Sequence, residues 1–480
     1  MNNHLINREL LSSIQSAFDY FSVLTLTGPR QSGKTTLCRK LFADLPYYNF
    51  EDMATLSAFQ QDPKSFLMKH DDGMIIDEAQ RFPEIFSYLQ VLVDEQNFNE
   101  GKRRRYIVTG SANFSLMQKA TQSMAGRTAV MTLLPLSTQE INSEFPDVDT
   151  DTRILRGGYP AIWNTDEKGR NLMFSNYYTT YVERDLRSLI NIKDLTQFNT
   201  FIRLCAGRIG SECNASALSV EVGVSVPTIQ SWLSILEASY IIYRLHPYHA
   251  NIGKRLTKTP KLYFYDTGLA AWLMGIRSEE QLSLHPQRGN LFENMIINDF
   301  QKYFYNKSER ADLFFYRDKG QREVDLLQVN PDGRINAYEI KSSKTYRPDF
   351  FEGMHYLQNL LKERIASTTL LYDGDQDFIQ QYDSFCNYRN LQNVIKSVEI
   401  LKQNKIDYEF RTTVVKEYHE VEDIKKIAEW IAPSGKYFLQ NFIDSGDLIK
   451  NNLSAHPRET LEFMRTLAQD IIPKVEIRGI

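Results

Sequence analysis

The run from Gly28 to Thr35 constrains this chain more than any other feature, because it matches the G-x-x-x-x-G-K-[ST] phosphate-binding loop at every fixed position. An apolar, strand-like segment precedes it at 23–27 and a helix-like segment follows at 36–42, which is the context that such a loop requires. In this arrangement glycines let the backbone direct its N–H groups at a triphosphate. A chance glycine-rich turn is the alternative.

The loop predicts a set of nucleotide-binding residues. The Lys34 ammonium would contact the β- and γ-phosphates, and the Thr35 hydroxyl would be a ligand of Mg2+. The full predicted set is Gly28, Pro29, Arg30, Gln31, Ser32, Gly33, Lys34, Thr35 and Thr36.

An apolar run at 74–76 ends in two carboxylates, Asp77 and Glu78. A buried parallel strand delivers such residues at its carboxyl end, where ligands of α/β sheets bind. Asp77 would hold Mg2+ through water, and Glu78 would orient the attacking water as a general base. A solvated strand end is the alternative.

A third strand-like run, 106–109, leads to Ser111 and Asn113, either of which can contact a γ-phosphate or the attacking water. Further on, Arg127 precedes another strand-like run, 129–133. Arg127 is a candidate arginine finger, acting on the site of a neighbouring subunit. An ordinary surface or salt-bridge arginine has equal weight.

Composition excludes several classes of protein. The chain has 480 residues, 42% of them hydrophobic, which predicts two to four folded domains. Its net charge of −4 argues against a surface that coats nucleic acid. No apolar run approaches the ~20 residues of a membrane helix, no secretory signal opens the chain, and the four cysteines form no C-x-x-C. We therefore expect a cytoplasmic protein with reduced thiols and no membrane partner.

Residues 217–233 predict a helix, a tight turn and a second helix, with Gly223 at the turn and Pro227 opening the second helix. Strand-like runs at 240–245 and 261–265 flank a basic tip, which is the order of a winged helix. Its candidate DNA contacts are Thr228, Gln230 and Ser231 to bases, and Lys254, Arg255 and Lys258 to phosphates. A module used only for packing or protein contacts is the alternative.

A second site is predicted on a β-hairpin, where Asp325 lies on one strand and Glu339-x-Lys341 on the next. This pattern resembles the PD-(D/E)xK nuclease-like fold, and Glu293 resembles the extra acid on an upstream helix. Asp325 and Glu339 could share a divalent metal, while Lys341 positions a water against a phosphodiester. A hairpin that has lost cleavage is the alternative.

The segment 390–480 alternates strands and helices and resembles the C-terminal half of radical-SAM enzymes that activate anaerobic ribonucleotide reductase. The likeness is carried by the segments 408–415 and 474–479. The chain contains no C-x-x-x-C-x-x-C, so no iron–sulfur cluster is expected. Three interpretations of this segment stay open: a remnant of a gene fusion, a cap on the preceding domain, or a contact between copies of the chain.

Over residues 1–389 the chain resembles prokaryotic AAA-type ATPases that carry a C-terminal DUF4143 region. Six segments carry this resemblance: 77–80, 109–111, 125–127, 135–137, 157–160 and 181–186. It implies an ATP-binding protein with a poorly defined cellular role.

The predicted fold class is α/β, with a parallel P-loop NTPase sheet followed by four further parts. The predicted domains are an ATPase core at 1–140, a helical junction at 141–200, a winged helix at 201–280, a nuclease-like region at 281–389 and a small α/β segment at 390–480. Candidate partners besides ATP are DNA, further copies of the chain and an unnamed protein client. A nucleotide-regulated nuclease and a nucleotide-switched adaptor are the alternative functions.

Overall fold

The computed structural model describes twelve stretches of the chain, which divides into two compact units, Met1–Gln321 and Arg322–Ile480. The described residues are 6–98, 103–110, 124–186, 194–249, 259–318, 320–345, 347–374, 378–379, 383–387, 409–416, 419–442 and 454–478. The finer division at residues 140, 200, 280 and 389 stays a prediction.

The first unit begins with a five-stranded sheet in which every pairing is parallel and the strand order is β2-β3-β4-β1-β5. The strands are β1 (Val23–Thr27), β2 (Tyr47–Asn49), β3 (Gly73–Asp77), β4 (Arg105–Thr109) and β5 (Thr128–Thr132). All residues of β1 and β3 are buried, as expected for central strands covered on both faces. The predicted α/β fold with a parallel sheet is confirmed.

Helices cover both faces of this sheet. They are α1 (Leu11–Tyr20), α2 (Lys34–Leu41), α3 (Met53–Gln61), α4 (Pro63–Met68) and α5 (Ile85–Phe98). Successive strand residues alternate between two cores, since Ile76 packs with Phe59 and Leu89 on one face, and Ile75 packs with Leu37 on the other. This period of two is what a covered sheet imposes on its strands.

The remainder of the first unit is mainly helical. It contains α6 (Thr138–Glu144), α7 (Thr150–Arg156), α8 (Glu167–Tyr177) with a π-helix at Tyr178–Leu186, α9 (Leu195–Gly207), α10 (Ala215–Val222), α11 (Val226–Ala238), β6 (Ile242–Leu245), β7 (Lys261–Phe264), α12 (Thr267–Leu273), α13 (Glu279–Leu284), α14 (Arg288–Asn306) and β8 (Leu313–Arg317).

The predicted helix–turn–helix is present in α10 and α11. Gly223 ends α10 with a φ of +77°, and the Ser225 hydroxyl caps α11 by accepting from the Thr228 N–H. The antiparallel pair β6–β7 follows. The basic tip with Lys254, Arg255 and Lys258 lies outside the described residues.

The second unit contains two α/β arrays. The first has β9 (Glu323–Val329), β10 (Ile335–Lys341), α15 (Glu352–Leu361), β11 (Ile365–Tyr372), β12 (Phe378–Ile379) and β13 (Asp383–Asn387). In it β10 pairs antiparallel with β9 and parallel with β11, which is the hairpin expected from the sequence.

The second array alternates strand and helix, as predicted. It consists of β14 (Phe410–Val414), α16 (Val421–Ile431), β15 (Tyr437–Asn441), α17 (Arg458–Gln469) and β16 (Val475–Arg478). The three strands are parallel and share a small core that includes Val414, Ile424, Leu439 and Leu461. The helix predicted at 398–403 lies outside the described residues. No described helix has the length and apolar character needed to cross a membrane.

Candidate nucleotide site

The phosphate loop connects β1 to α2 through backbone conformations that require glycine. Gly28 has a φ of +140°, and a Cβ there would lie 2.3 Å from the Leu133 carbonyl oxygen. Gly33 has a φ of +96° and directly precedes α2, which begins at Lys34, two residues earlier than predicted. A side chain at either position would strain the turn, so the spacing of the motif follows from the geometry.

Lys34 is buried and folds back over its own loop. Its Nζ donates to the carbonyl oxygens of Gly28 at 3.1 Å and Pro29 at 2.8 Å. Burial lowers the pKa of Lys34 to about 8, although the nearby carboxylates of Glu78 and Asp77 act in the opposite direction. A phosphate oxygen would be a better acceptor than a carbonyl, because a bond between two charged groups is stronger.

Asp77 ends β3 and accepts four hydrogen bonds. Its Oδ2 accepts from the Thr35 hydroxyl at 2.7 Å and the Tyr47 hydroxyl at 2.8 Å. Its Oδ1 accepts from the Glu78 N–H at 3.0 Å and from the Thr109 hydroxyl. A buried carboxylate beside a threonine hydroxyl is an all-oxygen set, which is the chemistry that Mg2+ prefers. Thr35 and Asp77 therefore fit the predicted magnesium site.

Glu78 follows in a left-handed conformation, with a φ of +56°. Its carboxylate accepts from the Gln80 amide, and the residue lines the cavity over the loop. Burial raises the pKa of Glu78, and the adjacent Asp77 adds to this. A raised pKa brings a carboxylate closer to the value that suits a general base near neutral pH.

A cavity of about 580 Å³ lies over the loop and is lined by three parts of the first unit. Seven predicted site residues line it: Arg30, Gln31, Gly33, Lys34, Thr35, Thr36 and Glu78. The arm before α1 contributes Ile6 and Asn7, and the segment after α7 contributes Pro160 and Tyr181. The Arg30 guanidinium lies 5.3 Å from the centre of the Tyr181 ring.

The other predicted loop residues are not among those that line this cavity. Gly28 and Pro29 contact the Lys34 ammonium through their carbonyl oxygens, and Ser32 is buried. Ser111 and Asn113 lie outside the described residues.

Arg127 lies far from the phosphate loop of its own chain. It directly precedes β5, whose first residue pairs with Val23, the first residue of β1. The loop follows the other end of β1, about 17 Å away at the usual strand rise. The Arg127 guanidinium binds the Asp94 carboxylate at 2.6 and 3.0 Å. Action on a neighbouring subunit stays a prediction.

Three contributors to the site were missed from the sequence. Tyr47 and Thr109 donate to the Asp77 carboxylate, and Arg8 donates to the Ser32 carbonyl oxygen of the loop. Thr109 ends β4, so strand-end position alone could have indicated it. Tyr47 and Arg8 belong to no recognisable motif, and their contacts join residues 30 and 24 positions apart.

The hairpin residues of the second unit come together as predicted. Lys341 Nζ donates to Glu339 Oε1 at 2.5 Å and lies 3.5 Å from Asp325 Oδ2. The Ile340 N–H donates to the same Asp325 oxygen at 2.8 Å. Among the described residues, no group of three or more His, Cys, Asp or Glu side chains is placed to hold a metal.

Glu293, the predicted extra acid, lies on α14 in the first unit. Its carboxylate accepts from the buried Lys261 ammonium at 3.2 Å and from the Tyr263 hydroxyl at 2.5 Å. These two contacts are enough to explain a partly buried carboxylate.

Comparison with known sequences identifies the family to which this chain belongs. A model described as "AAA domain" matches residues 20–142. Two models of domains of unknown function, DUF8612 and DUF4143, match 148–280 and 288–391. An uncharacterized protein of Mycobacterium tuberculosis is 30% identical over 374 residues, which cover 77% of this chain and 81% of that protein. The chain belongs to the AAA-domain family.

Two further comparisons concern this AAA-domain protein. An uncharacterized protein of Haemophilus influenzae is 24% identical over 398 residues, covering 75% of this chain and 96% of that protein. Among solved structures, the Walker-type ATPase of Pyrococcus abyssi is 14% identical with a TM-score of 0.40, covering 57% of this chain and 97% of the other. The matched family models end at residue 391, so the radical-SAM resemblance of the last segment stays a prediction.

Proposed function

We propose that this AAA-domain ATPase hydrolyses ATP at the loop of residues 28–35, with Glu78 as the general base. The observation that carries the proposal is the hydrogen bond from the Thr35 hydroxyl to the Asp77 carboxylate, beside a cavity that Lys34 and Glu78 also line. This arrangement puts a cation, a magnesium-type oxygen pair and a base at one edge of the sheet.

Each group has a separate role in the proposed reaction. The Lys34 ammonium leaves its loop carbonyls and binds the β- and γ-phosphate oxygens. Thr35 and Asp77 would hold Mg2+, which would neutralise charge that develops on the phosphates. The Glu78 carboxylate orients a water for in-line attack and takes its proton. Ser111 is a further proposed contact of the γ-phosphate.

The arginine finger is proposed to act in trans. Arg127 lies at the amino edge of the sheet and binds the exposed Asp94, so a homo-oligomer is needed to bring it to a neighbouring γ-phosphate. In an oligomer the neighbouring phosphate would replace Asp94 as its partner. Arg127→Ala should retain nucleotide affinity and lose turnover, and mixing with Lys34→Ala subunits should restore part of the activity. Full activity in a strictly monomeric preparation would exclude this role.

The test of hydrolysis is the variant Glu78→Gln in the full chain. It should still bind ATP and lose about 10²- to 10⁴-fold in phosphate release, the usual contribution of a positioned base. Glu84→Gln is the matched control, because Glu84 is an exposed glutamate six residues beyond Glu78. Unchanged turnover in Glu78→Gln would remove the base from the proposal. ATP binding without turnover in the unaltered protein would favour the nucleotide-switched adaptor.

A second candidate function, metal-dependent nucleic-acid cleavage, is favoured by the meeting of Asp325, Glu339 and Lys341 on β9 and β10. Both carboxylates are buried. Lys341 supplies one positive charge against these two carboxylates, which offsets part of the repulsion that a metal would otherwise relieve. This partial compensation makes cleavage the second candidate and ATP hydrolysis the first.

Cleavage is tested by incubating the full chain with supercoiled DNA and Mn2+ or Mg2+, with and without ATP. A nuclease would cut, and Asp325→Ala would abolish cutting while phosphate release continued. DNA association through α11 is a separate proposal. It is measured by binding of a labelled duplex to Thr228→Ala and Gln230→Ala, with Val220→Ala on the exposed face of α10 as the control.

A further inference from the structure

Arg8, on the arm before α1, makes three hydrogen bonds from one buried guanidinium. Nη1 donates to the Ser32 carbonyl oxygen at 2.7 Å, Nη2 to the Leu134 carbonyl oxygen at 2.6 Å and Nε to Glu140 Oε1 at 3.0 Å. Ser32 belongs to the phosphate loop, Leu134 follows β5 and Glu140 lies in α6. A single side chain therefore joins the loop to two elements outside it.

The contact with Ser32 has a direct consequence for the loop. In a trans peptide the carbonyl oxygen and the following N–H point in opposite directions. With the Ser32 oxygen held on Arg8, the N–H of Gly33 is turned away from Arg8. Gly33 lines the nucleotide cavity, and loops of this type bind phosphate through such inward N–H groups. Arg8 lines the same cavity, and its bond to the Ser32 oxygen constrains the orientation of a donor to which it does not itself bind.

Glu140 holds the Arg8 guanidinium in this position. Its side chain is almost fully buried, and the same Oε1 that pairs with Arg8 accepts from the Glu9 N–H at 2.8 Å. Its Oε2 accepts from the Ser137 N–H in the capping box of α6. A buried carboxylate that accepts several hydrogen bonds is held rigidly, because loss of any one of these bonds would leave part of its charge buried without compensation.

Glu9 extends the connection to α14, the helix that opens the segment matched by the DUF4143 model. Its Oε2 accepts from the Ser137 hydroxyl at 2.9 Å and from the side-chain amide of Asn306, the last residue of α14, at 3.0 Å. One turn earlier in α14, Lys302 donates to the Leu136 carbonyl oxygen at 2.8 Å. The position of α14 is therefore fixed by the same arm that fixes the loop.

We propose that Arg8 is a positioning residue for the ATPase reaction, which holds the Ser32–Gly33 peptide with its N–H directed at the bound phosphate. Through Glu140 and Glu9, this orientation depends on how α14 is held against the arm. Nucleotide binding and the start of the DUF4143-matched segment are coupled through these side chains. The inference rests on the nucleotide site proposed above.

The test compares Arg8→Lys with the unaltered full chain in steady-state ATP hydrolysis and in ADP binding. Lysine keeps the positive charge but lacks the planar guanidinium group that donates to three acceptors. Because phosphate contacts act in the ground state and in the transition state, KM for ATP should rise about tenfold while kcat falls less. ADP affinity should fall by a similar factor.

Arg170→Lys is the matched control, since Arg170 is buried and donates to the Arg277 carbonyl oxygen far from the loop in sequence. It should lower thermal stability to a similar extent and leave KM unchanged. A loss of stability in Arg8→Lys with an unchanged KM overturns the proposal, because a purely structural role predicts that result.

Asn306→Ala tests the coupling between α14 and the phosphate loop, and we expect a smaller effect than that of Arg8→Lys. It should raise KM two- to threefold without altering the midpoint of metal titrations, and an unchanged KM would remove α14 from the proposal. Lys34→Ala separates this inference from the proposed function. If Lys34→Ala abolishes ADP binding and Arg8→Lys does not weaken it, only the role of Arg8 fails. If neither variant changes ADP binding, the nucleotide site itself is wrong.

Discussion

The Thr35 hydroxyl, at the start of α2, donates a 2.7 Å hydrogen bond to the Asp77 carboxylate at the end of β3, although β3 and β1, the strand that leads to α2, are not neighbours in the sheet. The order β3-β4-β1 places β4 between them, and the Thr109 hydroxyl at the end of β4 donates to the same carboxylate. The ends of β3 and β4 and the start of the helix after β1 thus bring one polar group each to a single point. The result is a preorganised group of oxygen atoms, the ligand type that Mg2+ prefers, whose members are far apart in the sequence.

Tyr47→Phe should weaken the response to magnesium. The Tyr47 hydroxyl donates to Asp77 Oδ2 at 2.8 Å, and its loss frees the oxygen to rotate while the ring stays packed. With about 0.5–1.5 kcal/mol for one hydrogen bond, the Mg2+ concentration for half-maximal ATPase rate should rise two- to tenfold. Tyr48→Phe is the control, since the neighbouring hydroxyl binds His70. Identical Mg2+ titrations for both variants would show that Tyr47 only packs.

Nucleotide affinity should fall above pH 8 because of Lys34. Burial lowers the pKa of Lys34 to about 8 in the free protein, so the ammonium loses its proton as the pH rises through that value. Phosphate binding requires the charged form, and the dissociation constant for ADP should be about tenfold larger at pH 9 than at pH 7. Isothermal titration at both values measures this. Lys34→Arg, which stays charged, should lose the pH dependence, and a flat profile in the unaltered protein contradicts the assignment.

The sequence was sufficient for the phosphate loop and insufficient for its supports, for a physical reason. From Val23 to Lys34 the strand, glycines and helix start are contiguous, so local pattern determines local structure. Tyr47 and Arg8 act through contacts that only the folded chain creates. Arg127 is a different case. A residue that precedes a parallel strand lies at the edge opposite the loop, so its distance from its own site follows from topology alone.

The hairpin and the Glu293 carboxylate on α14 show the same contrast between local pattern and long-range contact. The alternation around Glu339 and Lys341 predicted their shared face, and the two side chains do meet. The pairing of Glu293 with Lys261 and Tyr263 was not predictable, because those partners lie about thirty residues away. Side-chain pairing across such distances depends on packing that no local pattern encodes.

Glu9→Gln should stabilise the protein at neutral pH. Burial, the Glu140 carboxylate and Asp299 raise the pKa of Glu9 to about 6, against hydrogen bonds from Ser137 and Asn306. The folded state then binds more protons than the unfolded state between pH 4.5 and 6, so stability falls as the pH rises through that window, by about 2 kcal/mol in total.

The measurement is the thermal midpoint of the full chain between pH 5 and 7.5. Glu9→Gln should exceed the unaltered protein by a few degrees at pH 7.5, and this advantage should shrink towards pH 5. The Arg8 guanidinium and the Lys302 side chain also adjoin this cluster, and burial lowers the pKa of Lys302. Glu144→Gln, at the exposed end of α6, should show no such trend. An advantage that is constant with pH would exclude Glu9 as its source.

Lys341→Ala should destabilise the second unit in a way that acid reverses. The Lys341 ammonium contacts the buried carboxylates of Asp325 and Glu339. Its removal leaves two like charges close together without their cationic partner. The free energy of unfolding should fall by about 1–3 kcal/mol at pH 8. Lower pH reduces the negative charge on the pair and so the repulsion, and stability at pH 5 should recover part of the loss. Thermal melts at the two pH values measure this. Arg334→Ala is the control, because Arg334 pairs with Asp332 and both side chains are exposed. If Mn2+ restores the stability of Lys341→Ala at pH 8, the two carboxylates can hold a metal once the lysine is gone, which supports the nuclease-like interpretation. If acid restores it and Mn2+ does not, the hairpin cluster is an ion pair that serves the fold.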